Sequence, residues 1–239
     1  MPDTLRNRRI VVVGGAGGIG SAVSALLAAE GARLVISYHR HADRAAQWSN
    51  RATVIEADIT EAGDRARLLD AAPELYGLVV LAGQPVRVSD PAQMQAAMER
   101  AHAVNCLGPV LLAREAAERM QAAGTQGAIV LTATMQAVAL FPGSTAYATS
   151  KAALVHAARI LAREMRAPAN IRVNVVSPGV TAAGMAEASI ASGKYDRYLG
   201  SHVTRFGRAE DVARAVRFLL EPDSYITGQV LAVDGGITL

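Results

Sequence analysis

The sequence predicts an α/β fold, in which a doubly wound parallel sheet of about seven strands is covered by helices on both faces. Three observations lead to this prediction. Short runs of Val, Ile and Leu alternate along the chain with longer stretches rich in Ala and Arg. The runs are almost continuously apolar, as strands are when both faces of their sheet are covered. Between the runs, apolar residues recur at helical spacing, and this strand–helix–strand order implies right-handed crossovers and parallel pairing.

The predicted strands follow one another along the whole chain. They cover residues 9–13, 33–37, 53–56, 78–82, 128–132, 171–176 and 229–233. Helical spacing is clearest for Val23 and Leu27 after the first strand, and for Val212 and Val216 before the last one. No linker rich in Pro, Gly or Ser divides the chain, so we expect residues 1–239 to form a single domain.

One segment, residues 181–208, interrupts the alternation between the sixth strand and the last helix. It is long, polar and rich in small residues, and it holds Tyr195 and Tyr198. A long insertion of this kind is often a lid or a binding loop. An ordinary surface loop with a short helix explains the pattern equally well.

Composition excludes two broad classes of protein. Of the 239 residues, 51% are hydrophobic and only 19% are charged, which is the reverse of the balance in disordered chains. The net charge is +3 and aromatic residues make up 4%. Nucleic-acid binding by a basic face needs a denser basic cluster with interleaved aromatic residues. We therefore expect no nucleic-acid partner.

Disulfides, metal sites and membrane spans are not predicted either. Cys106 is the only cysteine, and the five histidines lack the spacing of metal ligands, so we assign no metal site. Residues 1–6 are mainly polar and lack the apolar core of a signal peptide. The longest apolar stretch, 128–141, is shorter than the roughly 20 residues that span a bilayer. These observations predict a soluble cytoplasmic protein with no membrane partner.

A glycine-rich loop directly follows the first predicted strand and opens a helix. It includes Gly14, Gly15, Gly17, Gly18, Ile19 and Gly20. Glycines here allow a tight turn and let backbone N–H groups at the helix N-terminus approach a pyrophosphate. The spacing fits two registers of the dinucleotide fingerprint, and the lysine of a mononucleotide P-loop is absent. The loop therefore predicts a Rossmann-type dinucleotide-binding fold.

The end of the second predicted strand should lie beside the adenosine ribose. An NAD-preferring site places Asp or Glu there, whereas this chain has His39 and Arg40 and no acid before Asp43. Arg40 is placed to pair with a 2′-phosphate, which favours NADP over NAD, although a solvated helix start also fits it. Asp58, after the third strand, is a candidate acceptor for the adenine amino group or a helix N-cap.

Tyr147 and Lys151 lie four residues apart at the start of a predicted helix. Residues i and i+4 share a helix face, so the phenol and the ammonium can converge on one site. A free phenol titrates near 10, and an adjacent cation lowers that value enough for acid–base catalysis at neutral pH. Lysine is otherwise found only at position 194, which makes Lys151 more noteworthy.

These motifs together resemble the short-chain dehydrogenase/reductase family, over nearly the whole chain. The family order is matched by the glycine loop, Asp58, Asn105, the Tyr147/Lys151 pair, Pro178-Gly179 and the C-terminal residues 205–213, 227–229 and 233–236. In pattern, the sequence looks most like the 3-oxoacyl-[acyl-carrier-protein] reductase-like members.

The resemblance implies roles for four catalytic residues. Tyr147 is the expected general acid/base, and Lys151 is expected to lower its pKa and to hold the nicotinamide ribose. Asn105 is expected to position a water for proton relay. Thr134 takes the place of the family's serine; its hydroxyl still donates to a substrate carbonyl, while its methyl group narrows the pocket.

Further positions are implied to contact the cofactor. They are Ala82 and Gly83 after the fourth strand, Pro178 and Gly179 on the nicotinamide side, and Val180 and Thr181 near the carboxamide. The family's usual threonine a few residues further on falls near Ala183. Val13, Val80 and Leu81 also replace polar residues of the family. Because the first and fourth strands should be neighbours, we interpret these changes as compensating one another.

The sequence therefore predicts an NADP(H)-dependent oxidoreductase that acts on a small-molecule carbonyl or secondary alcohol. Two alternatives stay open: an NAD-dependent alcohol, sugar or polyol dehydrogenase, and a non-catalytic dinucleotide sensor. Residues 135–144 and 181–208 should line a mainly apolar substrate pocket without a charged anchor. Small-residue helix faces and the apolar C-terminus predict a homotetramer.

Overall fold

Seven parallel strands form one sheet in the computed structural model, which describes residues 5–88 and 90–239. The strands are β1 (Arg9–Val13), β2 (Arg33–Tyr38), β3 (Thr53–Glu56), β4 (Leu75–Val80), β5 (Gly127–Thr132), β6 (Ile171–Pro178) and β7 (Val230–Val233). Their order across the sheet is β3-β2-β1-β4-β5-β6-β7. The predicted seven-stranded α/β fold is therefore confirmed. Residues 1–4, to which part of the signal-peptide prediction refers, lie outside the described residues.

Strand bounds differ most from the prediction at β4, which begins and ends earlier than the predicted range 78–82. Tyr76 and Gly77 interrupt the aliphatic run. A prediction based on aliphatic residues therefore places the start of this strand too late. Leu81 follows the strand, and its N–H donates to Val13 O at 3.0 Å.

Helices cover both faces of the sheet. They are α1 (Gly18–Ala29), α2 (Ala42–Ala46), α3 (Ala62–Asp70), α4 (Met94–His102), α5 (Gly108–Ala122), α6 (Thr145–Glu164), α7 (Glu187–Ala191) and α8 (Ala209–Leu219). Side chains of α3, α5 and α6, such as Leu68, Leu112 and Leu154, form one core with alternate strand residues. The other alternate strand residues pack with Val23 of α1 and Val216 of α8 in a second core.

The strand order creates a switch point at β1, which pairs with both β2 and β4. Ligands of doubly wound folds bind in the crevice where the strand order reverses, beyond the carboxyl ends of the strands. Val13 pairs with Val80 across β1 and β4, so two of the positions where the sequence departs from the family that it resembles are adjacent. This is the adjacency that the sequence predicted.

A π-helical turn, Ala103–Leu107, joins α4 to α5. Pro109, near the start of α5, has no N–H to donate to the preceding turn, which accounts for the local change of pitch. The turn carries Asn105 and Cys106, both of which are buried.

The 181–208 segment consists of short turns around α7. Its side chains Ile190, Tyr195 and Tyr198 pack against buried Met135 and Val180 at the carboxyl edge of the sheet. The segment therefore lies on the same edge as the predicted site. No helix in the described ranges is both long and apolar enough to cross a membrane.

Candidate active site

The glycine loop lies between β1 and α1, at the switch point. The N–H of Gly14 donates to Ser37 O at 3.1 Å, which ties the loop to the end of β2. Gly20 has no room for a side chain, because a Cβ there would lie 2.0 Å from Gly14 O. Gly17 caps α1 without a side-chain hydrogen bond, and the first turn holds no acidic residue. The positive end of α1, which includes Ile19, is therefore suited to an anion such as a pyrophosphate.

Gly18 is in close contact with the 181–208 segment. A Cβ on Gly18 would lie 2.5 Å from Gly184 N, and Gly184 itself has a φ of +57°. Glycine at both positions therefore allows the backbone of residue 18 to contact the backbone of residue 184. Ala183, where the family has a threonine, directly precedes this contact.

The candidate ribose-binding residues lie at the ends of β2 and β3. Arg40 is exposed, and His39 Nε2 lies 3.8 Å from Asp58 Oδ2. Partial burial raises the pKa of Asp58, but hydrogen bonds from Thr60 and the charge of His39 outweigh it and lower the pKa. Because Glu61 is the N-cap of α3, the helix-cap interpretation of Asp58 is wrong. Arg40 follows His39 at the end of β2, and it is exposed.

Asn105 fastens the loop after β4 to α6. Its Oδ1 accepts from Gln84 N at 2.7 Å, and its Nδ2 donates to Gln84 O at 3.0 Å and to Ser150 Oγ at 3.2 Å. The side chain is thus engaged in positioning Ala82, Gly83 and Gln84. These contacts give the side chain a structural role, and the predicted role of Asn105 in holding a water stays a prediction.

Tyr147 and Thr134 come from neighbouring elements and meet in the site. Tyr147 is buried in the first turn of α6, and Thr134 follows β5, where its Oγ1 accepts from Gln136 N at 3.4 Å. Burial raises the pKa of Tyr147, while a side-chain hydrogen bond with Thr134 and the charge of Arg87 lower it less strongly. The expected lowering of this pKa by Lys151 is therefore not observed, because burial dominates.

Lys151 is only 3% exposed. Its Nζ donates to Thr132 O at 2.7 Å and lies 3.3 Å from the place where a Cβ of Gly83 would be. Burial lowers the pKa of Lys151 to about 8, and the Cys106 thiol opposes this slightly. Among the described residues, the buried hydroxyl of Thr132 has no hydrogen-bond partner. This unsatisfied hydroxyl beside a buried ammonium fits a pocket that receives polar groups of a ligand.

The end of β6 provides the last predicted contacts. Pro178 and Val180 are buried, and Gly179 lies between them, where its N–H donates to Val233 O at 3.1 Å. Thr181 Oγ1 donates to Gly179 O at 3.2 Å, so this hydroxyl is used within its own turn.

Two further residues act on the phenol: Arg87 has no counterpart in the sequence prediction, whereas Tyr195 belongs to the segment predicted as a candidate binding loop. Arg87, after β4, donates from Nη2 to Gln136 Oε1 at 3.2 Å, and its charge acts on Tyr147. Tyr195, from the 181–208 segment, also acts electrostatically on Tyr147. Lys194 beside it is exposed, with Nζ 5.8 Å from the centre of the Tyr195 ring. No local motif marks these residues, because only the tertiary fold brings them to the phenol.

The structure thus gathers most predicted residues at one edge of the sheet. The glycine loop, Gly83, Asn105, Thr134, Tyr147 and Lys151 lie around the switch point and the ends of β4 and β5. A helix N-terminus without a cap, a buried ammonium and an unsatisfied hydroxyl match the anionic and polar groups of a dinucleotide. The residues present fit such a cofactor.

Comparisons with known proteins agree with this geometry. Residues 14–238 match the family described as Enoyl-(Acyl carrier protein) reductase. A short-chain type dehydrogenase/reductase from Picea abies is 32% identical, over 97% of this chain and 93% of the relative. NADPH-dependent aldehyde reductase 2, chloroplastic, from Arabidopsis thaliana is 31% identical, over 100% of this chain and 96% of the relative.

A solved structure supports the same grouping. A short-chain type dehydrogenase/reductase from Mycobacterium ulcerans superposes with a TM-score of 0.90 at 29% identity. The superposition covers 98% of this chain and 91% of that one. The similarity therefore extends over the fold as a whole and includes every segment that contributes to the site.

Proposed function

Because the chain belongs to the short-chain dehydrogenase/reductase family, whose members are NAD(P)-dependent enzymes, we propose that it reduces a carbonyl to a secondary alcohol with NADPH, or runs the reverse reaction. The observation that carries this proposal is the meeting of Tyr147, Thr134 and Lys151 beside the glycine loop. An acid, a hydrogen-bond donor and a cation in one buried place are the groups that carbonyl reduction requires.

Tyr147 is the proton donor in this proposal. Burial raises its pKa, so the phenol is protonated at neutral pH and can act as an acid. The Thr134 hydroxyl, which is in contact with the phenol, donates to the same carbonyl oxygen and orients it. A dihydronicotinamide held in this site would supply the hydride for the carbonyl carbon. The proton from Tyr147 Oη then goes to the oxygen, and a secondary alcohol results.

Lys151 and Asn105 support this arrangement. The Lys151 ammonium would hold the nicotinamide ribose and, once that site is filled, stabilise the phenolate that remains after proton transfer. Asn105 is a positioning residue, since its side chain fixes Gln84 and Ser150 rather than facing the reacting atoms. Its backbone remains available for the proposed relay of protons through water.

The cofactor would lie across the switch point. Gly14, Gly17, Gly18, Ile19 and Gly20 would hold the pyrophosphate. Asp58 would accept from the adenine, and Pro178, Gly179 and Val180 would enclose the nicotinamide. Arg40 supports NADP over NAD, since it is exposed at the end of β2 where a 2′-phosphate would lie. The Arabidopsis relative, whose name states that it depends on NADPH, is consistent with this preference.

The substrate would enter between residues 135–144 and the 181–208 segment. Val138 and Leu140 are 69% and 96% exposed, and Met185 is 57% exposed. Exposed apolar side chains on both segments suit an apolar substrate body, such as that of a 3-oxoacyl group or another ketone. A cytoplasmic homotetramer remains our proposal for its location and assembly.

Turnover by matched variants tests the proposal. NADPH consumption is measured with a panel of ketones for the wild type, Tyr147→Phe and Lys151→Ala. Tyr147→Phe should abolish turnover and leave cofactor affinity nearly intact, because only the transferable proton is lost. Lys151→Ala should weaken both turnover and cofactor binding. Substantial turnover by Tyr147→Phe would rule out the proposed acid, and cofactor binding without any turnover would favour a sensor.

A further inference from the structure

We propose that Arg87 binds an anionic group of the substrate, so that the enzyme prefers ketones or secondary alcohols that carry a carboxylate or a similar oxyanion. This inference rests on the proposed function and adds the chemical class of the substrate. It also departs from the expectation, drawn from the sequence, of a pocket without a charged anchor.

The packing of Val86 and Val88 determines the direction in which the Arg87 side chain extends. Val86 is 5% exposed and packs with Ala97, Ala101 and Ala146, and Val88 joins the same cluster. Ala146 directly precedes Tyr147, so this cluster holds the loop against the start of α6. Because both flanking valines turn into the cluster, the guanidinium is directed the other way, towards Gln136.

Gln136 connects the guanidinium to the reacting groups. Its backbone N–H donates to Thr134 Oγ1 at 3.4 Å, and its side-chain Oε1 accepts from Arg87 Nη2 at 3.2 Å and from Ser144 Oγ. Gln136 is itself 9% exposed, so its amide is held in place. Gln136 alone would therefore separate a carbonyl bound at Thr134 from the Arg87 guanidinium.

Arg87 also has hydrogen-bonding capacity to spare. Its contact with Gln136 is to a neutral amide, and none of the ion pairs among residues 5–88 and 90–239 includes Arg87. Other arginines of the chain do pair with carboxylates, as Arg65 does with Glu115 and Arg205 with Asp211. A guanidinium has five N–H donors in a fork that matches an oxyanion, so the exposed Arg87 is suited to bind one in two-point contact.

A matched pair of ketones tests this inference. We would compare kcat/KM for 5-oxohexanoate and for its methyl ester, with NADPH, in the wild type and in Arg87→Met, Arg87→Lys and Arg166→Met. The wild type should prefer the carboxylate by about tenfold or more, which is the effect of one good charge-assisted contact. Arg87→Met should bring the ratio close to one, and Arg87→Lys should retain part of it. Arg166→Met removes the same charge from an exposed position before β6 and should keep the wild-type ratio.

Binding of hexanoate to the NADP complex gives a second readout that needs no turnover. Hexanoate has no ketone to reduce, so its affinity reports on the anion site alone. Arg87→Met should weaken hexanoate about tenfold and leave hexanamide, its neutral analogue, little changed. Equal kcat/KM for both ketones in the wild type, or equal hexanoate affinity in wild type and Arg87→Met, overturns the inference. Loss of all turnover with intact, Arg87-dependent hexanoate binding contradicts only the proposed reaction.

Discussion

Burial moves the two central ionisable groups of the site in opposite directions. It raises the pKa of the Tyr147 phenol and lowers that of the Lys151 ammonium to about 8. Both shifts favour the uncharged form of the group, because a charge is poorly solvated in the protein interior. At neutral pH the phenol is therefore neutral, while Lys151, with a pKa of about 8, is still mostly protonated, and a polar ligand would change the balance for both groups at once.

The lowered pKa of Lys151 predicts a pH-dependent stability. Unfolded, the group has its ordinary pKa of 10.5, and folded it has about 8. Between these values the unfolded state binds more protons, so the free energy of unfolding should rise with pH, by at most about 1.4 kcal/mol per pH unit from this group. Denaturant unfolding of the protein without cofactor, at pH 7.5 to 10, measures it.

Lys151→Met provides the comparison for that experiment. Burial raises the pKa of Tyr147 and of Cys106, so both groups act against this trend at high pH, and the difference between wild type and variant largely removes their contribution. The wild type should gain stability relative to the variant as the pH rises. A difference that stays flat or falls would mean that Lys151 is solvated in the folded protein.

Arg40 supports a prediction about cofactor choice. Its exposed guanidinium should pair with the 2′-phosphate, so NADPH should bind at least about tenfold more tightly than NADH, a difference of about 1.4 kcal/mol. Titration of both cofactors measures this ratio, and Arg40→Ala should bring it close to one. A ratio that is the same in both proteins would remove Arg40 from the cofactor site.

The site residues that a local sequence motif marks could be predicted. The site residues that only tertiary packing brings together could not. The glycine loop and the Tyr147/Lys151 spacing follow from chain neighbours alone, since a turn and one helix face define them. Arg87 and Gln136 are far apart in the sequence and meet only through the packing of Val86 on Ala146. The raised pKa of Tyr147 escaped prediction for a similar reason, because burial is a property of the whole fold.

Among the elements, the strands were the easiest to predict. The apolar runs of β1, β2, β5 and β6 are largely buried, so burial and sequence pattern agree there. The start of β4 is harder to predict, because Tyr76 stands there in place of an aliphatic residue. The buried phenol of Tyr76 donates to Leu220 O at 2.7 Å. The short turns of the 181–208 segment have no such pattern, and their position depends on contacts with Met135 and Val180.

Two glycines, one in α1 and one in α3, should respond oppositely to alanine. Gly63 is exposed in α3, and a Cβ there would meet no atom within 4 Å. Gly63→Ala should therefore stabilise the fold by about 0.5–1 kcal/mol, a rise in Tm of roughly 1–4 °C. Gly18→Ala places a Cβ 2.5 Å from Gly184 N, so we expect it to displace that backbone and weaken NADPH binding.

Thermal unfolding and NADPH titration of both variants check this pair. Gly63→Ala serves as the control for the general effect of adding a methyl group to a helix. If Gly18→Ala binds NADPH as the wild type does and melts no lower, the contact between α1 and the 181–208 segment does not matter in solution.

At the scale of the whole molecule, apolar surfaces are left uncovered. Leu107, in the π-helical turn that also holds Asn105, and Ile160, in α6, are 49% and 47% exposed. β7 is an edge strand, and its Val230 is 37% exposed. Exposed apolar patches and unpaired strand edges are commonly covered by other subunits. A closed homotetramer with two-fold axes would cover both surfaces.

Light scattering at micromolar concentration tests this assembly. We expect a mass four times the 24.9 kDa of one chain. Ile160→Arg should lower the mass, because it buries a charge in the predicted contact. Ala66→Arg, a change at an exposed position on α3, should not. A monomer mass throughout that concentration range would contradict the tetramer.

The distribution of lysine has a practical consequence for labelling. The chain has two lysines: Lys151 is buried, while Lys194 is exposed on the 181–208 segment. Among the side chains, reagents that acylate amines should therefore modify Lys194 and leave the buried Lys151 unmodified. Because Lys194 lies beside Tyr195, which packs against Met135 and Val180, a dye attached there would lie next to the proposed substrate pocket. The natural sequence thus offers a fluorescent reporter of binding without an engineered attachment point.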